Sequence, residues 1–195
     1  MSQPKIAVLA LQGDFEAHRK ALSEIERESF EAKRPADLAS ADGLILPGGE
    51  STTLWKFFEM EPWEEALAAF ARSGRPILGT CAGAIVLARE VENPAQRALG
   101  LIDIVIERNA YGRQVDSFIA DVECPSLGDP LPAVFIRAPR IRRVGESVEV
   151  LGRHLGEPVL VRQDNVVAAS FHPELTPDRR LHRLVFAPES ARRSA

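Results

Sequence analysis

The first half of the chain alternates short, unbroken apolar runs with stretches in which apolar residues return every three or four positions. The run "KIAVLAL" (5–11) is continuous, as expected of a strand covered on both faces. Asp14 follows as a helix cap, and Phe15, His18, Leu22 and Ile25 then fall on one side of a helix. "DGLILPGG" (42–49) predicts a second buried strand broken by Pro-Gly-Gly, leading into "STTLWKFFE", where Leu54, Phe57 and Phe58 share a helical face. Pro62 suits the first turn of another helix, with Glu64 and Glu65 near its positive end. Trp63, Leu67 and Phe70 form its apolar stripe, and Gly74 with Pro76 stops it. "PILGTC" (76–81) predicts a third strand that runs straight into a helix, "AGAIVLARE". Strands that alternate with helices in this way specify an α/β fold, a three-layer arrangement with a mostly parallel open sheet covered on both faces. Residues 23–36 carry no clear period, with only a faint strand signal over 30–34.

From about residue 99 the texture changes to successive strand-like runs: "LGLIDIVIE", "VDSFIADVE", "PAVFIRAPRI", "VEVLGR", "EPVLVRQ" and "VVAASFH". The turns between them carry Gly, Pro or Asp, which predicts that some of these pairs are antiparallel hairpins added to the parallel sheet. "TPDRRLHRLVF" (176–186) predicts a closing helix with Thr176 as cap and Pro177 in its first turn. The tail, residues 188–195, is expected to fray.

Composition narrows the class. At 195 residues the chain is expected to form one domain, residues 1–195, with a sizeable core. A net charge of -4 without a dense Lys/Arg block argues against a nucleic-acid or membrane-surface partner. No apolar run approaches the ~20 residues of a membrane span, and the N-terminus lacks a signal-peptide pattern. Two cysteines, Cys81 and Cys124, make no disulfide framework, so a cytoplasmic setting is expected.

One of those cysteines sits where chemistry is expected. "GTCAG" has the shape of a nucleophile elbow with sulfur in place of oxygen. Gly79, Gly83 and Ala82 remove the side chains that would clash in a sharp strand-to-helix turn. Such a turn lifts the thiol to the carboxyl edge of the sheet and to a helix amino end, where unpaired N–H groups favour the thiolate. "SFHPEL" supplies a base and its orienter: on an extended segment, His172 and Glu174 project to the same side. "LPGGESTT" supplies two glycines after a buried strand, so that backbone N–H groups face a ligand closely. Gly49 and Ala82 are the candidate oxyanion donors. Each motif alone has an ordinary structural reading as a buried cysteine, a surface turn or a helix cap; together they read as nucleophilic catalysis.

The order "PGGES", "GTCAGA", "FHPE" resembles the class I, triad-type glutamine amidotransferases. More closely, "LALQGDFEAH", "RPADL", "RNAYGRQVDSF", "FIRAP" and "SFHPEL" resemble the glutaminase subunits of pyridoxal 5'-phosphate synthases, over nearly the whole chain. The resemblance implies hydrolysis of L-glutamine to L-glutamate and ammonia through a glutamyl thioester on Cys81, with His172 and Glu174 completing the triad. It implies a glutamine site at Gly48, Gly49, Glu50, Arg108, Ile136 and Arg137, and a role for Gln12 in arranging the oxyanion loop on partner binding. An arginine is well shaped for the carboxylate of a zwitterionic substrate. The implied partner is a (β/α)8-barrel synthase subunit that joins the ammonia to a pentose phosphate and a triose phosphate. Pyridoxal 5'-phosphate is then the product of the complex, and no cofactor or metal is expected in this chain. Departures from the family pattern are Tyr111, Asp164 in "RQDN", and a short, charged segment 23–34.

Other titratable residues are expected to be structural. Cys124 reads as packing, His18 as a half-buried histidine on the apolar side of its helix or a partner contact, and His154 and His182 as loop and helix-surface residues. Three alternatives stay open at this point: an amidotransferase subunit serving another synthase, a cysteine hydrolase with a similar elbow, and a non-catalytic regulatory subunit.

Overall fold

Five strands, four of them largely apolar, line up in parallel in the computed structural model, which describes residues 4–108, 117–128 and 130–186. They are β1 (Lys5–Leu9), β2 (Glu28–Ala32), β3 (Gly43–Leu46), β4 (Ile77–Thr80) and β12 (Val166–Ala169). Two further strands, β10 (Glu149–His154) and β11 (Glu157–Gln163), extend the sheet antiparallel, giving the order β10-β11-β12-β4-β3-β1-β2. The faint strand signal over 30–34 is therefore real but lies at 28–32, as the parallel edge partner of β1. Alternation along each strand divides the core in two. Ala7, Leu9, Leu44, Leu46 and Ile77 face one side, and Ile6, Val8, Ile45 and Leu78 face the other.

The first side is covered by α2 (Ser51–Met60), α3 (Trp63–Arg72) and α4 (Ala82–Leu87). Leu54, Trp55 and Phe58 of α2 and Trp63, Leu67 and Phe70 of α3 are buried there, and Gly74, at φ +76°, ends α3 as the sequence requires. The second side is covered by α1 (Phe15–Ser23), capped by Asp14, and by α5 (Arg180–Phe186). This is the expected α/β arrangement, a mixed and mostly parallel sheet between helical layers.

The structure corrects three details. The strands after residue 99 do not all join the main sheet. β5 (Ala88–Glu92), β6 (Ile102–Glu107) and β9 (Arg140–Val144) form a separate three-stranded sheet, and β7 (Ser117–Val122) pairs with β8 (Leu131–Ile136) as a hairpin. The helix after Cys81 is only six residues long, because Ala88–Glu92 pairs with β6 instead of continuing it. The last helix begins at Arg180 rather than at Thr176: the Asp178 carboxylate accepts the Arg180 N–H at 2.8 Å, and Thr176 supports the turn before it. The tail, 188–195, and Tyr111 lie outside the described residues.

Candidate active site

Four segments leave the carboxyl ends of adjacent parallel strands and meet above them: Gln12 after β1, Gly48 after β3, Cys81 after β4 and His172 after β12. Cys81 occupies the turn between β4 and α4 with φ +47° and ψ -104°, a strained backbone that lifts the side chain out of the strand. The glycines around it are required by contact. A Cβ on Gly83 would lie 2.0 Å from the Leu46 carbonyl oxygen, and one on Gly79 2.4 Å from Leu87 Cδ1. The Cys81 sulfur stands 4.0 Å from the Ile136 carbonyl oxygen.

His172 bridges β8 through its backbone N–H, which donates to the Val134 carbonyl at 2.8 Å. Its Nδ1 lies 2.7 Å from Glu174 Oε1, and Cys81 lies close enough to the ring to favour its cation. His172 and Glu174 converge as expected, but not along an extended segment: Pro173–Leu175 is a turn of 3-10 helix that swings the carboxylate back under the ring. Burial disfavours the His172 cation, yet Cys81 and Glu174 outweigh it and push the pKa up to about 10. Glu174 is buried, which opposes its charge, but His18 and His172 hold its carboxyl below the ordinary range.

Gly48 closes the space above the ring. Its N–H donates to Thr80 Oγ1 at 3.1 Å, and a Cβ there would sit 2.3 Å from His172 Cε1 and 3.2 Å from Cys81 Cβ. Gly49 adopts φ +139° with the Gln12 amide packed against it, and Gln12 Oε1 accepts the Glu50 N–H at 2.9 Å. Ala82 is the first residue of α4, so its N–H lacks an intrahelical partner. A cavity of about 130 Å³ joins these pieces. Gly49, Glu50, Cys81, Arg108, Ile136, Arg137 and His172, all named from the sequence, lie on its wall; Ser51, Ile85 and Pro139 also line it and were not anticipated. Arg137 Nη2 and Glu50 Oε1 pair at 2.6 Å across its mouth. Among the described residues no group of three His, Cys, Asp or Glu side chains is arranged to hold a metal ion.

Three histidines depart from expectation. His18 and His182 are both fully buried, directly behind Glu174, rather than half-buried and surface-exposed. A signal for His182 was available: it precedes Val185 and Phe186 by three and four positions, on the helix face that enters the core. His154, at the end of β10 rather than in a loop, donates from Nδ1 to the Asp121 carbonyl at 3.2 Å and packs on Phe135. Cys124 is buried among apolar side chains.

A family model described as the SNO glutamine amidotransferase family matches residues 8–188. The pyridoxal 5'-phosphate synthase subunit PdxT of Koribacter versatilis is 52% identical over 180 residues, covering 92% of this chain and 93% of that protein. The subunit of the same name from Thermotoga neapolitana is 49% identical over 180 residues, covering 92% and 96%. A crystal structure of a glutamine amidotransferase, 49% identical, superposes with a TM-score of 0.87 over 92% of this chain and 96% of that one. At 17% identity, the structure of PurLQS from Thermotoga maritima matches with a TM-score of 0.73 over 94% and 98%, a likeness of fold alone.

Proposed function

The chain belongs to the SNO glutamine amidotransferase family, and from that premise we propose that it is the glutaminase subunit of a pyridoxal 5'-phosphate synthase. It hydrolyses L-glutamine to L-glutamate and ammonia. The observation that carries this reading is the convergence of Cys81 and His172, the latter backed by the buried Glu174 carboxylate, on a cavity lined by Glu50, Arg108 and Arg137. Opposed charges at the rim suit a zwitterion: the arginines take its carboxylate, and Glu50 its ammonium group.

The Cys81 thiolate attacks the side-chain amide carbon, and the oxyanion that develops is met by the N–H groups of Gly49 and Ala82. The carbon–nitrogen bond then breaks as the His172 cation gives its proton to the departing ammonia. Water, deprotonated by the now neutral His172, attacks the glutamyl thioester; the carbon–sulfur bond breaks and L-glutamate leaves. Glu174 orients the ring and stabilises its cation throughout. Gln12, packed on Gly49, sets the loop when the partner docks. In this reading the ammonia passes to a (β/α)8-barrel synthase subunit, and the complex works in the cytoplasm, a setting that the two free thiols support.

The test is ammonia release by the purified chain with its synthase subunit. Cys81→Ala is expected to abolish turnover while still binding the subunit, because only the sulfur is lost. Near wild-type release by that variant overturns the nucleophile assignment. Ammonia release without pyridoxal 5'-phosphate formation from a pentose phosphate and a triose phosphate points instead to a different synthase.

A further inference from the structure

Behind the triad lies a buried polar group that the hydrolysis steps do not use. His18 on α1 and His182 on α5 are both fully buried and stand with Nδ1 and Nε2 at 3.1 Å. The other nitrogen of His18, Nε2, is 3.3 Å from Glu174 Oε2 and 3.2 Å from Thr80 Oγ1. That oxygen of Glu174 is the one His172 leaves unoccupied, and that hydroxyl is the one that receives the Gly48 N–H.

The hydrogens in this group follow from donor and acceptor accounting. If His18 carried its hydrogen on Nδ1, its bare Nε2 could accept from the Thr80 hydroxyl but would also face a carboxylate oxygen, lone pair against lone pair. His182 would then have to accept at Nε2 and carry its hydrogen on Nδ1, a buried atom with no hydrogen-bond partner. An orphaned buried N–H costs more than an orphaned lone pair. The opposite arrangement has neither fault. His182 Nε2–H donates to His18 Nδ1, His18 Nε2–H donates to Thr80 Oγ1 with the otherwise unpartnered Oε2 of Glu174 beside it at 3.3 Å, and the unpartnered Nδ1 of His182 is a bare acceptor.

We propose that His18 is a positioning residue for the triad. Locked by His182 as a neutral donor, it fixes the outer oxygen of Glu174 and, through Thr80, ties the carboxylate to the loop that carries Gly48. The proposal rests on the glutaminase reading above. With Oε1 bonded to His172 and the positive end of the His18 N–H dipole beside Oε2, swivelling of the carboxylate is opposed, so Oε1 stays on His172 Nδ1 and the ring keeps facing Cys81. Neutrality matters, because a second cation would compete with His172 for the same carboxylate. The surroundings favour the neutral form. Burial disfavours the His18 cation most strongly; Glu174 and Asp14 favour it, and His172 and Arg179 oppose it.

The experiment compares kcat and KM for glutamine in wild type, His18→Leu and His18→Gln, each with the synthase subunit, alongside the pH profile of Cys81 alkylation by iodoacetamide. Glutamine keeps an N–H donor near the position of Nε2, and leucine does not. His18→Leu is expected to lower kcat about tenfold or more, with KM changed less than about twofold. Its alkylation midpoint moves to higher pH, because a loosened Glu174 holds the His172 cation less well. His18→Gln is expected to keep kcat within about threefold of wild type and to keep the midpoint. Equal losses in both variants, a loss confined to KM, or an unmoved midpoint in the leucine variant overturns the proposal. Should His18→Leu fail to fold, His182→Leu serves instead: it frees the His18 tautomer, and wild-type kcat with an unmoved midpoint in it overturns the proposal. A wild-type chain that releases no ammonia defeats the glutaminase reading instead, and the alkylation profile, which needs no substrate, still tests the coupling.

Discussion

Gly48 has room for a hydrogen and nothing more. A methyl group there would overlap His172 Cε1 at 2.3 Å and press on Cys81 Cβ at 3.2 Å, so the ring must move. Displacement of a general acid by about 1 Å costs on the order of a hundredfold in rate. Gly48→Ala is therefore expected to lower kcat by about that factor while the chain stays folded, since the displaced group lies at the cavity and not in the core. Glutamine turnover measured beside thermal melting checks it; an Ala variant with wild-type kcat would show that the ring has slack. Glu50 and Arg137, by contrast, meet at an exposed rim where an ion pair adds little stability. Their value lies in the charges they offer a zwitterion. The same contrast explains which site residues could be read early. Cys81, Gly48 and His172 stand in short motifs whose residue types follow from their geometry. His18 and His182 sit in ordinary amphipathic helices, 164 positions apart, and only the tertiary fold brings them together.

At the level of the element, the β4-to-α4 turn concentrates the backbone strain of the site. A residue at φ +47° and ψ -104° is relaxed only if it is glycine, and the chain places cysteine there. Cys81→Gly is accordingly expected to exceed Cys81→Ala in stability by about 1–2 kcal/mol, although both are inactive. Urea midpoints of the two variants measure the difference, and equal midpoints would mean the turn holds no strain. This turn was legible because small residues at Gly79, Ala82 and Gly83 have few other uses at the end of a buried strand. The helix beyond it was misjudged in length. Ala88, Arg89 and Glu90 favour helix locally, but pairing with β6 buries Val91 at 3% exposure and overrides that preference. The start of α5 was misplaced for a related reason: Thr176-Pro177 and Asp178 are both competent caps, and the contacts of Arg180 with Asp178 decide between them. Asp164, at φ +51° in the turn after β11, occupies a left-handed position that aspartate tolerates, which accounts for its departure from the family's glycine.

Across the whole molecule, the parallel sheet was visible in the spacing of its strands and hairpins such as β7–β8 in the turns between theirs, whereas the three-stranded sheet was not, because the pairing of β6 with β9 joins segments far apart in sequence. The helices α1 and α5, laid on one face of that sheet, bring two neutral imidazoles into the interior, and this has a consequence for acid stability. Burial depresses His182 from 6.5 to about 3, and His18 is depressed in the same sense. Between those values the unfolded chain binds a proton that the folded chain does not, so the free energy of unfolding falls as pH drops below about 6.5. Glu174 adds to the loss at lower pH: its pKa is held below 4.5, and stability present above that value disappears as the folded carboxylate protonates. His172 works in the other direction, since its folded pKa of about 10 makes its contribution greatest below 6.5 and lost as pH rises through 10. The maximum of stability is therefore expected near neutrality. His182→Gln removes one titrating group from the acid side and should flatten the slope of unfolding free energy against pH by about one proton between pH ~6 and ~4. Urea unfolding at a series of pH values reads that slope directly. A variant that is less stable at every pH but keeps the wild-type slope would place the acid sensitivity elsewhere than in the pair behind Glu174.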